Sequence, residues 1–190
     1  MEKVSRGSTL KIAVCLFVAA FLQTTLVQQV PVSLGQWLGH INWLLLVVIY
    51  IGLQRDPVKA LVTGAFAGLF HEAFSFGVGV GISGLAFVLA AYVADRIASV
   101  IVVDNLWFRF SAVAAGSVVN TAVRLLFFRL LKLELPALAG GRSIAATIVF
   151  DLIANLIGSV LLYIALDRVF IKDEAQRVRR MEARRLRTRR

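Results

Sequence analysis

The chain has 190 residues, of which 59% are hydrophobic and 17% charged; a soluble domain carries about 45–50% and about 25%. That excess of apolar surface excludes both a soluble globule and a disordered chain. The formal net charge of +10 is uneven, with ten Lys/Arg against three Asp/Glu from Arg168 to Arg190 and eleven against eight before it, so a basic tail follows a nearly neutral body.

A bilayer-spanning helix needs about 20 mostly apolar residues, and six stretches approach that length. The basic leader, residues 1–11, carries Lys3, Arg6 and Lys11. The first stretch then runs from Ile12 to about Val30. Its core, Ile12 to Leu22, has the length of a signal peptide, but Gln23, Thr24 and Thr25 follow in place of a small-x-small cleavage site. We therefore expect an uncleaved helix whose outer half faces protein. The second stretch, Ile41 to Leu53, is short. The third spans Ala60 to Phe76. The fourth begins near Ile82 and fades between Asp95 and Val103. The fifth runs from Leu106 to Leu131 and the sixth from Ile144 to Leu166. Period-2 alternation is absent, so helices rather than a barrel are expected. Pro31, Pro57 and Pro136 all fall between stretches, where a missing N–H costs least.

Lys and Arg concentrate in cytoplasmic loops. With the N-terminus inside, the inner segments hold Lys3, Arg6, Lys11, Arg55, Lys59, Arg96, Arg109 and the tail cations. The outer segments are Pro31 to His40, Gly77 to Gly81 and Lys132 to Ser143, and they hold Lys132 and Arg142 alone. The expected architecture is all-α: a polytopic membrane protein with six transmembrane helices over residues 12–167, both termini cytoplasmic, and an Arg-rich tail over residues 168–190. The spacing shows no inverted repeat of the transporter kind.

Several residues could carry chemistry. Gly81-Ile82-Ser83-Gly84 matches the nucleophile motif of intramembrane serine proteases, but the two histidines, His40 and His71, both precede the serine. No catalytic residue is expected. His71 and Glu72 lack the second histidine of a zinc motif, and Cys15 is the single cysteine, so neither a metal nor another cofactor is expected. Gly77, Gly79 and Gly81 read as a tight turn. Asp95 and Arg96 are expected to reach the inner interface.

Ionisable groups inside a membrane are costly and persist when paired or facing a cavity. Glu72, Arg124 and Asp151 all fall in the outer half of their helices. Asn120 lies one turn from Arg124, and Asn155 one turn from Asp151. These five side chains are expected to form one buried polar network, either locking helices together or contacting a ligand or partner. Gly64 and Gly68 form a small-xxx-small step for close helix packing, within the bundle or against another chain. In the tail, Arg177, Arg179, Arg180, Arg184 and Arg185 accompany an apolar face of Ile171, Ala175, Val178, Met181 and Leu186. Such a segment fits anionic lipid or a cytoplasmic protein and requires no nucleic acid.

The chain resembles the MreD family of bacterial rod shape-determining proteins over roughly residues 12 to 166. Four pieces carry the likeness. They are Leu22-Gln23-Thr24-Thr25, the short Trp43–Leu53 helix before Arg55-Asp56-Pro57, the run from Gly64 through His71-Glu72 to Ser75, and Gly81-Ile82-Ser83-Gly84-Leu85-Ala86. The family shows Gly-x-x-x-Asp where this chain has Gly68 and Glu72, and the arginine tail lies outside the pattern. The resemblance implies a non-enzymatic scaffold in the inner membrane that binds the membrane helix of MreC. MreB and the RodA/penicillin-binding-protein synthase complete the wider complex, and the scaffold helps position peptidoglycan synthesis. A homodimer is left open. The resemblance also implies a relation to the substrate-binding subunits of energy-coupling-factor vitamin transporters, which supplies the alternative reading.

Overall fold

A computed structural model describes residues 6–29, 39–75, 81–100, 106–132 and 144–187. Among them it contains six helices and no strand: α1 (Arg6–Gln29), α2 (Trp43–Gly52), α3 (Pro57–Ser75), α4 (Ile82–Val100), α5 (Leu106–Leu130) and α6 (Ile144–Arg187). Three are long and apolar enough to cross a membrane, over Ile82–Val100, Trp107–Leu130 and Ala145–Arg168. Pro31 and Pro136, like Gly77 and Gly79, lie outside the described residues.

The sequence leads one to expect α2 as a short span, and the structure makes it the centre of the molecule. It has ten residues, all buried, and rises only about 15 Å, half a bilayer core. Isolated helices shorter than about 12 residues are marginal, and Val47, Val48, Ile49 and Ile51 are poor helix formers. Enclosure therefore holds α2 helical, because α1, α3, α4, α5 and α6 all pack on it. Small residues let the backbones approach. A methyl group at Gly116 on α5 would sit 2.7 Å from Ile49 Cδ1, one at Gly158 on α6 would sit 2.6 Å from Ile41 Cγ2, and one at Gly52 would sit 3.0 Å from the Ala91 carbonyl on α4.

A tight turn carries the chain from α2 into α3. Leu53 donates its N–H to Ile49, Gln54 to Ile51 and Arg55 to Gly52, with Arg55 in the left-handed region at φ 58°. Asp56 then caps α3 by accepting from the Lys59 backbone N–H, and Pro57 takes the first helical position, where its missing N–H costs nothing. Partial burial pushes the Asp56 carboxyl up. Hydrogen bonds from the Lys59 side chain and backbone, with the Lys59 charge, outweigh that and hold it below its ordinary range.

The tightest helix pair is α3 on α4. Ala86, Ala90, Ala94 and Ala98 recur every four residues along α4 and are fully enclosed. Gly64 faces the backbone of Phe87 and Val88, and Gly68 faces that of Ser83 and Gly84. Asp95 does not reach the interface as expected. It lies in the packed interior beside α2 at 5% exposure, while its neighbour Arg96 is exposed and stacks over the Tyr92 ring at 4.9 Å. The two residues lie about 100° apart around α4, with Asp95 on the face packed against α2 and Arg96 beside it.

At its C-terminal end α6 does not stop near Leu166, where the apolar run ends. It continues to Arg187 as one helix, because Arg, Glu and Ala favour helix as well as leucine does.

The α3–α4 contact generates a paired expectation. Gly68→Ala forces a methyl into the Gly84 backbone, so it should destabilise by about 1–3 kcal/mol. Gly84→Ala meets nothing within 4 Å and should be neutral or slightly stabilising. Thermal unfolding of the two variants in detergent, followed by size-exclusion monodispersity, checks both.

Candidate functional site

Because α2 begins inside the bundle, its first backbone N–H groups need partners that water cannot supply. Asn42 is the N-cap, and its side chain accepts from the Leu45 N–H at 3.0 Å. The Trp43 N–H donates to Gln23 Oε1 of α1 at 2.9 Å. The Asn42 N–H donates to Asn155 Oδ1 of α6 at 2.8 Å, and Asn155 Nδ2 donates to Ser117 Oγ of α5 at 3.2 Å. Three helices thus converge on the start of a fourth. One turn outward along α6, Asp151 Oδ1 lies 2.7 Å from His40 Nδ1, and the His40 ring stacks on Phe150 with centroids 6.1 Å apart.

A second polar layer closes the other end of α2. The Tyr50 hydroxyl donates to Asp167 Oδ1 at 2.8 Å, and Arg109 donates to Asp167 Oδ2 at 2.7 Å. This ties α2, α5 and α6 together about 18 Å along α6 from Asn155. The Tyr163 ring packs against Tyr50 at 5.3 Å, and its buried hydroxyl has no hydrogen-bond partner among the described residues.

Glu72 bonds to backbone rather than to a side chain. From α3 it accepts from the Gly81 N–H at 2.7 Å through Oε2 and from the Ser83 N–H at 2.8 Å through Oε1. It therefore caps α4 from the neighbouring helix, where a negative charge also meets the positive end of the helix dipole. Gly81 stands at φ +96°, a conformation suited to glycine. Ser83 lies in the first turn of α4. His71, one residue before Glu72, packs edge-on against Phe87 at 5.6 Å, and its Nδ1 is buried without a partner among the described residues.

The five residues expected to form one network are thus distributed. Asn155 belongs to the cap of α2, Asp151 to the pair with His40, and Glu72 to the cap of α4. Arg124 is half-buried and makes no direct ion pair among the described residues. The carboxylates whose charge reaches it are Asp151 first and Glu72 second. Asn120 is buried, and its Oδ1 has no partner there. The tail residues Arg177, Arg179, Arg180, Arg184 and Arg185 belong to the continuous α6, and their side chains lie outside the described residues.

Sequence reasoning missed Gln23, Asn42, Ser117, His40, Tyr50, Arg109 and Asp167. One signal was available: Asn42 directly precedes an apolar run, as an N-cap does. The other pairs join residues 20 to 117 positions apart.

The amide layer yields a testable consequence. Asn155→Leu leaves the Asn42 N–H buried without an acceptor and should cost about 1–3 kcal/mol. Combined with Ser117→Ala it should cost less than the two single changes summed, because they share one hydrogen bond. Strict additivity in thermal unfolding would remove Ser117 from the layer.

A family model for the rod shape-determining protein MreD matches residues 8–172. No curated protein and no solved structure matches the chain. The family match covers the helical body through both polar layers and ends at the start of the basic extension. The chain therefore belongs to the rod shape-determining protein MreD family, and its role lies in rod shape determination.

Proposed function

We propose that the chain is a non-catalytic scaffold of the cell-elongation complex. It would sit in the inner membrane, bind the membrane helix of MreC, and help position peptidoglycan synthesis by the RodA/penicillin-binding-protein synthase alongside MreB. One observation carries the reading. Polar side chains at both ends of α2 and at the start of α4 join helices: Gln23 to α2, Asn155 to α2 and α5, Asp167 to Tyr50 and Arg109, and Glu72 to α4. Such a frame holds its shape and leaves its outer faces for partners. The exposed apolar stripe Leu10, Val14, Phe17 and Phe21 on α1 is one such face. Membership in a shape-determining family agrees.

The topology we propose has six crossings with both termini cytoplasmic. α2 supplies the inner part of the second crossing, and His40 to Asn42 lead into it. Non-helical backbone at membrane depth is tolerated where protein covers it, and Ile41 and Asn42 are buried. α2 and α6 then run in the same direction, which agrees with the pairing of His40 to Asp151 and of Tyr50 to Asp167.

Two measurements test the proposal. Reporter fusions at positions 35 and 190 should report opposite sides, and a C-terminal fusion reporting the periplasm would defeat six crossings. Full-length chain extracted in mild detergent should retain MreC, and Ser83→Ala should retain rod shape. Loss of shape in Ser83→Ala at normal protein level would restore an enzymatic reading.

A further inference from the structure

The outer end of α5 combines a cavity with cations. Val118, Ala122, Leu125, Leu126 and Arg129 of α5, with Ile148 of α6, line a cavity of ≈ 360 Å³. From Val118 to Arg129 the helix advances about 16 Å, so the groove is long and its wall is mostly apolar. The groove lies on the side of α5 opposite Asn120 and Arg124, about 200° around the helix, and is separate from the polar layers.

Cations mark one end of this groove. Arg129 lines it and is exposed, and Lys132 follows one turn later, also exposed, in the left-handed cap at φ 53°. On the orientation proposed above, every Lys or Arg in the described outer half of the protein lies on α5 or in the turn that ends it: Arg124, Arg129 and Lys132. Cations are sparse on that side of a membrane. Here they gather at the mouth of an apolar slot.

We infer that the α5–α6 groove is a binding site for an anionic phospholipid. One acyl chain lies along Val118, Ala122, Leu125, Leu126 and Ile148, and the headgroup phosphate meets Arg129 and Lys132. The site is distinct from any lipid contact of the arginine tail.

The test uses full-length chain in nanodiscs doped with phosphatidylglycerol carrying a diazirine in its acyl chain. A parallel sample carries the same chain on phosphatidylcholine. After irradiation, labelled peptides are mapped by mass spectrometry. Phosphatidylglycerol should label the segments containing Leu125, Leu126 and Ile148 several-fold more than phosphatidylcholine does. The Arg129→Gln/Lys132→Gln double variant should lose that preference, while labelling of residues 168–190 stays unchanged as an internal control. Ala122→Trp should fill the slot and reduce labelling by both lipids. Equal labelling by both lipids in the unaltered chain would reduce the groove to ordinary lipid contact and overturn the inference. A preference that survives the double variant would overturn it too. Groove labelling that disappears when MreC is co-purified would assign the face to a partner and also overturn it. The readout does not depend on which leaflet is met, so it is independent of the fusion test of topology.

Discussion

A helix that starts inside a protein presents backbone N–H groups that neither water nor lipid can satisfy, and the organisation of this bundle follows from that need. α2 is ten residues long and enclosed on all sides. Its start draws an amide from α1, an amide from α6 and its own N-cap, with a hydroxyl of α5 behind them. Helix order around α2 is thereby specified by polar groups whose misplacement would strand a buried donor. Apolar packing alone could not specify it, since lipid tails are as apolar as the leucines of α2.

The polar layer at Asp167 does the corresponding work at the other end. Tyr50 and Arg109 share one carboxylate, and beyond that point α6 runs on as the basic extension. The frame around α2 is therefore coupled by a continuous helix to the segment richest in arginine. Glu72 applies the same rule at α4, where a carboxylate on one helix satisfies the start of the next. The Glu72 side chain bridges α3 to both Gly81 and Ser83.

The sequence made some of this legible. Hydropathy located each of the six described helices, because an apolar run in a membrane protein must be helical whether it faces lipid or protein. For the same reason hydropathy could not reveal that α2 faces protein all round; only its shortness hinted at that. Glu72, Arg124 and Asp151 stood out as intramembrane charges, yet their partners did not. A census of charged side chains omits backbone donors such as the Gly81 N–H, and it omits neutral acceptors such as Gln23. Gly116 and Gly158 also escaped notice, since each meets α2 rather than a small-residue partner at fixed spacing. The end of the apolar run at Leu166 marked where hydropathy stops, while helix propensity carried α6 further.

The central claim is that α2 is sheltered from lipid on every face. Photolabelling of the full-length protein in a bilayer with a small apolar carbene reagent tests it most directly. The account predicts labels on Leu10, Val14, Phe17 and Phe21 of α1 and on the exposed faces of α5 and α6, with Trp43 to Gly52 unlabelled. Labelling of α2 every three to four residues would show a lipid-facing stripe and contradict the account.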